Sequence, residues 1–242
     1  MTDPKAAESF RAMHERTDPE DPLVIPNVWD AGSARAFAER GFPVLATSSG
    51  AVAATLGYED GGRTPADEMF AAIARIARAV DVPVTADIEA GYGLEPREIV
   101  DRLLEAGVVG CNLEDSDPLT GELRDVDEHA SWLAEVSVAA GDRLVLNARV
   151  DTFLYGDRSV ESAVRRARRY IEAGADVIFP ILAPVELLPD IAECVTRPVN
   201  ALCLPGGPRP AELGKLGAAR VTFGHTLYTR AMEGVRGLAG EL

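Results

Sequence analysis

Two carboxylates, Asp87 and Glu89, lie at the end of the apolar run in "VTADIEAGYG" (residues 84–93), and Gly-Tyr-Gly follows at once. Side chains on a strand alternate faces, so positions i and i+2 point the same way and the spacing predicts two like charges together where a strand stops. "CNLEDS" adds Glu114, and "NARVD" alternates Asn147, Arg149 and Asp151 onto one face of an apolar strand. Acids gathered in low dielectric repel one another severely unless a cation joins them. A divalent ion would resolve the repulsion. All-oxygen ligands favour magnesium over zinc or copper, because His14, His129 and His225 are scattered and no HExxH spacing occurs. The structural alternative is that these acids pair with Arg149 or cap helices. Arg149 itself could grip a carboxylate or stabilise an enolate oxyanion, or it could simply bridge to Glu114. "TSSG" (residues 47–50) offers hydroxyls and approachable N–H groups to an anion, and is equally ordinary turn chemistry.

Such groups need elements to hold them. Four joints, "ERGFPVLATSS", "EAGVVGCNLED", "EAGADVIFPI" and "KLGAARVTFG", each set Gly just past a helical pattern and ahead of an apolar strand. Periodicity predicts strands near 23–28, 44–48, 82–89, 108–114, 144–150, 176–181, 198–204 and 220–224. Helices are expected near 31–40, 64–80, 96–106, 127–140, 159–173, 184–193, 209–217 and 226–239. Nearly all-apolar strands alternating with helices imply a parallel sheet buried on both faces, and eight βα units are the number that closes a (β/α)8 TIM barrel. An open doubly wound sheet is the other arrangement this pattern allows. No linker divides the chain, so one domain over residues 1–242 is expected. In a barrel the C-terminal strand ends carry the chemistry, and there the polar residues of this sequence collect.

The net charge of −15 over 242 residues opposes binding to nucleic acid or anionic membrane. Cys111, Cys194 and Cys203 form no CxxC pair and stand in apolar contexts, which predicts buried thiols in a reducing cytosol. The first 22 residues lack a basic segment leading into an apolar one, and no run approaches bilayer length, so a cytoplasmic location is expected. "LPGGP" (residues 204–208) reads as a stiff turn more readily than a phosphate loop, and "GYG" is not a dinucleotide fingerprint. His225 could line the barrel mouth, but a lone histidine is more often satisfied by its neighbours. "RRARRY" reads as a solvated helix face.

"NVWDAGSARAFAERGFPVLATSSGAVAATLGYEDG", "ADIEAGYG", "GCNLEDS" and "NARVDTF", in this order and spacing, resemble the isocitrate lyase/phosphoenolpyruvate mutase superfamily over about residues 20–230. The resemblance implies a modified TIM barrel, usually a tetramer exchanging C-terminal helices, in which magnesium holds a 2-oxo acid or its enolate. It implies Asp87 as direct metal ligand, with Asp60, Glu89 and Glu114 acting largely through water. Ser48, Ser49 and Gly50 would hold the substrate carboxylate, and Arg149 would face the oxyanion; Arg149, Asp60 and Glu114 are thereby the expected catalytic groups. Position 89 departs from the more usual Asp, a difference of one methylene that water can take up.

A larger departure lies in the loop after the fourth strand. Isocitrate and methylisocitrate lyases of the superfamily carry a catalytic cysteine in a Lys-Cys-Gly-His segment there, whereas this chain reads "SDPLTGELRD", without the cysteine and without the lysine typical of phosphoenolpyruvate mutases. Chemistry that needs no thiol remains: carbon–carbon cleavage of an oxaloacetate-like 2-oxo acid or diacid, with the electron pair held as an enolate. A phosphorus–carbon enzyme such as a carboxyvinyl-carboxyphosphonate phosphorylmutase shares the same oxyanion site, and a non-catalytic barrel binding a 2-oxo acid is the alternative from another class. The partner expected is a small-molecule substrate, with a homo-oligomer, dimer or tetramer, around it.

Overall fold

A computed structural model describes residues 4–15 and 18–242. Its strands are β1 (Leu23–Val24), β2 (Asn27–Val28), β3 (Leu45–Thr47), β4 (Val84–Asp87), β5 (Gly110–Glu114), β6 (Val145–Val150), β7 (Val177–Pro180), β8 (Val199–Leu202) and β9 (Ala218–Thr222). The helices are α1 (Pro4–Ala12), α2 (Ala31–Ala38), α3 (Ser49–Leu56), α4 (Ala66–Ala77), α5 (Pro96–Ala106), α6 (Val126–Ala140), α7 (Thr152–Tyr155), α8 (Val160–Glu172), α9 (Leu188–Cys194), α10 (Pro210–Lys215) and α11 (Thr226–Gly240).

The pairings between these strands are all parallel, in the order β1-β9-β8-β7-β6-β5-β4-β3-β2. The two ends of that order, β1 and β2, are halves of one predicted strand. Pro26 divides them because it has no N–H for a ladder. The first half takes β9, with the Ile25 N–H donating to the Val221 carbonyl at 2.9 Å, and the second takes β3, with the Ala46 N–H donating to the Pro26 carbonyl at 2.9 Å. The sheet therefore closes on itself as a (β/α)8 barrel, and the open doubly wound alternative is excluded.

Glycines at the four predicted joints, Gly41, Gly107, Gly174 and Gly217, all have positive φ, as helix ends of this kind require. Outward strand residues such as Ala86, Leu113, Leu146 and Ile178 pack with Ile73, Ile99, Leu103, Val136 and Tyr170 of the helices. Inside the barrel, Leu23, Val44, Val109, Val145 and Val177 at the strand starts surround Phe10 of α1, which plugs the N-terminal end. The next polar layer includes Thr85, Asn112, Asn147, Asn200 and Arg220, all buried.

The structure corrects several expectations. Helices α1, α3 and α7 have no counterpart in the periodicity, since α3 is apolar nearly all round and α7 spans a single turn. The helix expected from 184 begins at Leu188, after a short 3-10 turn over Val185–Leu187. Cys111 is buried, but Cys194 is exposed and Cys203 half-buried. "RRARRY" is not wholly solvated, because Arg166 turns inward with the Ala163–Ala167–Tyr170 stripe. No helix among the described residues is long and apolar enough to cross a membrane.

Candidate active site

β4 ends at Asp87, and the chain turns there: Glu89 has φ 51, in the left-handed region. Glu89 therefore does not share a strand face with Asp87 by alternation, as the spacing predicted; the turn brings it back toward the mouth. Asp87 is fixed by Thr47 at the end of β3 and Ser49 at the start of α3. Its N–H donates to Thr47 Oγ1 at 2.9 Å, and its Oδ2 accepts from the Ser49 hydroxyl at 2.9 Å and the Ser49 N–H at 3.2 Å. Asp87 Oδ1 is buried without a hydrogen-bond partner. Glu89 Oε1 accepts from the Tyr92 hydroxyl at 3.2 Å, while Glu89 Oε2 is likewise buried and unpartnered.

Ser48 and Ser49 are more committed than the sequence suggested. Ser48 caps α3, its Oγ accepting from the Ala51 N–H at 3.4 Å, and the Ser49 hydroxyl is spent on Asp87. What remains for a substrate anion is the Ser48 O–H, since that oxygen only accepts from Ala51, together with the Gly50 N–H and the positive end of α3. Gly50 also has to be glycine, because a Cβ there would lie 2.5 Å from an Asp60 carboxylate oxygen and 3.1 Å from His225 Nδ1. This contact brings Asp60 and His225 to the mouth. His225, set aside in the sequence as a lone histidine, was signalled only by its place after "VTFG" at a strand end.

β5 and β6 align Glu114 with Arg149 in register. Arg149 Nη1 donates to Glu114 Oε1, so the predicted bridge is real. The same guanidinium forks onto Asp151, Nε to Oδ1 at 2.6 Å and Nη2 to Oδ2 at 2.8 Å. Three of its five N–H groups are thereby used, leaving one on each Nη for a substrate oxygen. Asp151 is held in turn: its Oδ2 accepts from the Ser116 hydroxyl, and its N–H donates to Asp115 Oδ1 at 2.8 Å. Asp115 Oδ2 accepts from Arg166 at 3.0 Å and from the Tyr170 hydroxyl at 2.7 Å. Asp115, Arg166 and Tyr170 escaped the sequence reading, because a helix and a strand end far apart in the chain supply them.

The charges are strained by burial and by each other. Burial, then Asp87 and Asp60, push the Glu89 carboxyl up to about 7. Burial and Asp87 raise Asp60. Burial raises Glu114 against the pull of Arg149, with Asp87 adding to the rise. Burial alone would lower Arg149, but Glu114 and Asp151 override it and keep the guanidinium above its ordinary range.

Among the described residues no three Asp, Glu, His or Cys side chains close around one point as a ready metal cage. The four acids thus do not form the cluster expected, because Glu114 is turned onto Arg149 and one oxygen of Asp87 is held by Ser49. The two orphaned oxygens on Asp87 and Glu89, with the raised carboxyls of Asp60, Glu89 and Glu114, nevertheless fit a hard cation that takes few direct carboxylate ligands and keeps several waters. Beside Glu89 opens a cavity of about 470 Å³, walled by Tyr92, Thr64, Arg63, Arg124 and Pro118.

A family model described as phosphoenolpyruvate phosphomutase matches residues 10–242, and the chain belongs to that family. Among solved structures, a candidate phosphonomutase from Burkholderia cenocepacia is 39% identical with a TM-score of 0.90, covering 98% of this chain and 99% of its own. A 2,3-dimethylmalate lyase of the phosphoenolpyruvate mutase/isocitrate lyase superfamily is 25% identical with a TM-score of 0.86, covering 98% and 87%. A 2-methylisocitrate lyase from Halalkalibacterium halodurans is 31% identical over 81% of this chain and 66% of its own. The family thus holds both lyases and mutases. A relative named for methylisocitrate cleavage stands against excluding that activity on the missing cysteine alone.

Proposed function

We propose that the chain is a magnesium-dependent carbon–carbon lyase acting on an oxaloacetate-like 2-oxo acid or diacid through an enolate. The observation that carries this reading is the pair of buried, unpartnered oxygens, Asp87 Oδ1 and Glu89 Oε2, facing a barrel mouth that also holds Arg149. Asp87 and Glu89 would hold the ion, with Asp60 and Glu114 orienting water around it. Bound there, magnesium supplies Lewis-acid polarisation of the substrate's oxo oxygen. The Gly50 N–H and the end of α3 orient a substrate carboxylate. The two free N–H groups of Arg149 meet the oxygen on which negative charge develops.

For oxaloacetate, the C3–C4 bond breaks and C4 leaves as carbon dioxide. The electron pair passes into the C2–C3 enolate, and water protonates C3 to give pyruvate. Nothing in that sequence requires a thiol. The family's phosphomutase description supports a second reading, phosphorus–carbon chemistry at the same oxyanion site. The reading also takes residues 1–242 as one barrel domain of a cytoplasmic homo-oligomer. In support, α11 buries none of its residues, and Val235 and Leu238 on it are exposed.

The test pairs a magnesium thermal shift with pyruvate release from oxaloacetate. Wild type should be stabilised by magnesium and should release pyruvate, and Asp87→Ala should lose both. Identical melting with and without magnesium in both proteins would refute the metal, and stabilisation without turnover would favour a binding barrel.

A further inference from the structure

Among the largest side chains wholly shut off from solvent is a cation, Arg220. Its neighbour Val221 packs outward with Leu188 and Leu213, so alternation turns Arg220 into the barrel. There it stands opposite Leu23 of β1 and Asn200 of β8 in register, with its guanidinium carbon 5.9 Å from the ring centre of Phe10. Nε, Nη1 and Nη2 all lack a hydrogen-bond partner, and among the described residues no carboxylate is within ion-pair distance. Burial lowers its pKa to about 9, with Asp87 acting in opposition, so the group stays charged at neutral pH.

An uncompensated charge in a barrel core is costly, and an apolar residue over Phe10 would serve packing better. The charge is not insulated from the mouth. Thr85 lies two residues before Asp87 on the same face of β4, and a Cβ on Gly110 would be 3.2 Å from both Thr85 Oγ1 and Phe10 Cε1. Phe10 therefore underlies both Arg220 and the inner face of β4. Unpartnered donors on Arg220 and Asn200 face a layer with unpartnered acceptors on Thr85 and Asn147. The Arg220 charge and the inner face of β4, which ends at Asp87, thus share one buried polar interior.

We propose, on the reading of Asp87 and Glu89 as cation ligands, that Arg220 is a positioning residue of that site, a fixed internal positive charge that acts through Asp87 to weaken divalent-cation binding and keep the ion exchangeable. A unit charge opposing a dication across the barrel interior changes binding on the order of fivefold even at the dielectric of water.

The experiment is calorimetric titration of magnesium chloride into the full chain at pH 8, comparing wild type with Arg220→Met and Arg220→Gln. Both neutral variants should bind magnesium about fivefold tighter. Two neutral variants are used because either one that folds reads the effect. A residue that only filled space would leave affinity unmoved. Neutral variants that bind no tighter than a magnesium-binding wild type overturn the role of Arg220 and leave the cation site standing. A wild type that binds no magnesium overturns both.

Discussion

Glu89 concentrates the electrostatic tension of the site in one side chain. Its carboxyl is pushed up to about 7, first by burial and then by Asp87 and Asp60, from an ordinary 4.5. Between those two values the folded protein holds a proton that the unfolded chain has released. Stability therefore falls as pH rises through the window, and above it the folded state carries a buried charge with no counter-ion of its own. Glu89→Gln removes the titration while keeping the shape. The stability of wild type relative to Glu89→Gln should decline as pH is raised from about 4.5 to 7, and magnesium should stabilise wild type more at pH 8 than at pH 6. Urea unfolding across that range measures both, and a difference independent of pH would mean that Glu89 is not strained.

The strand ends reach their geometry through α8, which the periodicity located without revealing what it carries. Arg166 and Tyr170 are one helical turn apart, and both seize Asp115, which holds the Asp151 N–H and so steadies the fork on Arg149. Removing one partner of a buried pair leaves the other charge uncompensated, so Arg166→Ala should lower unfolding free energy by about 3 kcal/mol in urea titrations. A loss typical of an exposed arginine would show that Asp115 does not depend on it. Elements with a strong period or a glycine stop were legible in the sequence: the four joints, the parallel strands, and Glu114 and Arg149 at facing strand ends. α3 was not, because helix and buried strand look alike in an apolar run of eight residues. The turn at Glu89 was hidden as well, since its positive φ carries no residue signature when glycine is absent. Arg166 could have been read, because it lies beside the Ala163, Ala167 and Tyr170 stripe that faces the barrel.

At the scale of the molecule, reaction class depends on what the loop after β5 brings to the mouth. Ser116 and Leu123 pair across it, and Gly61 and Gly62 of the opposite loop pack against Pro118, so the segment lies over the site. A lyase that must protonate a departing carbanion on carbon needs a positioned acid of suitable pKa. Asp117 does not provide one: Oδ1 accepts the Thr120 and Leu119 N–H groups, and those bonds hold its carboxyl below the usual range and therefore ionised. The thiols lie elsewhere. Cys111 is sealed in the core with its pKa pushed up to about 12 by burial, Cys194 sits at the end of α9, and Cys203, just after β8, packs outward against the Leu188, Ala201 and Leu213 cluster. The chain's similarity to a 2-methylisocitrate lyase points the other way, which makes the comparison decisive. We expect oxaloacetate-like diacids, whose enolate can be protonated by water after the carbon–carbon bond has broken, to be cleaved faster than isocitrate or methylisocitrate. Assays of glyoxylate and pyruvate release measure this in wild type and in a variant with Cys111, Cys194 and Cys203 replaced by serine or alanine. Efficient release from either tricarboxylate, undiminished in the cysteine-free protein, would show that the loop or the mouth supplies a proton donor after all and would overturn the assignment.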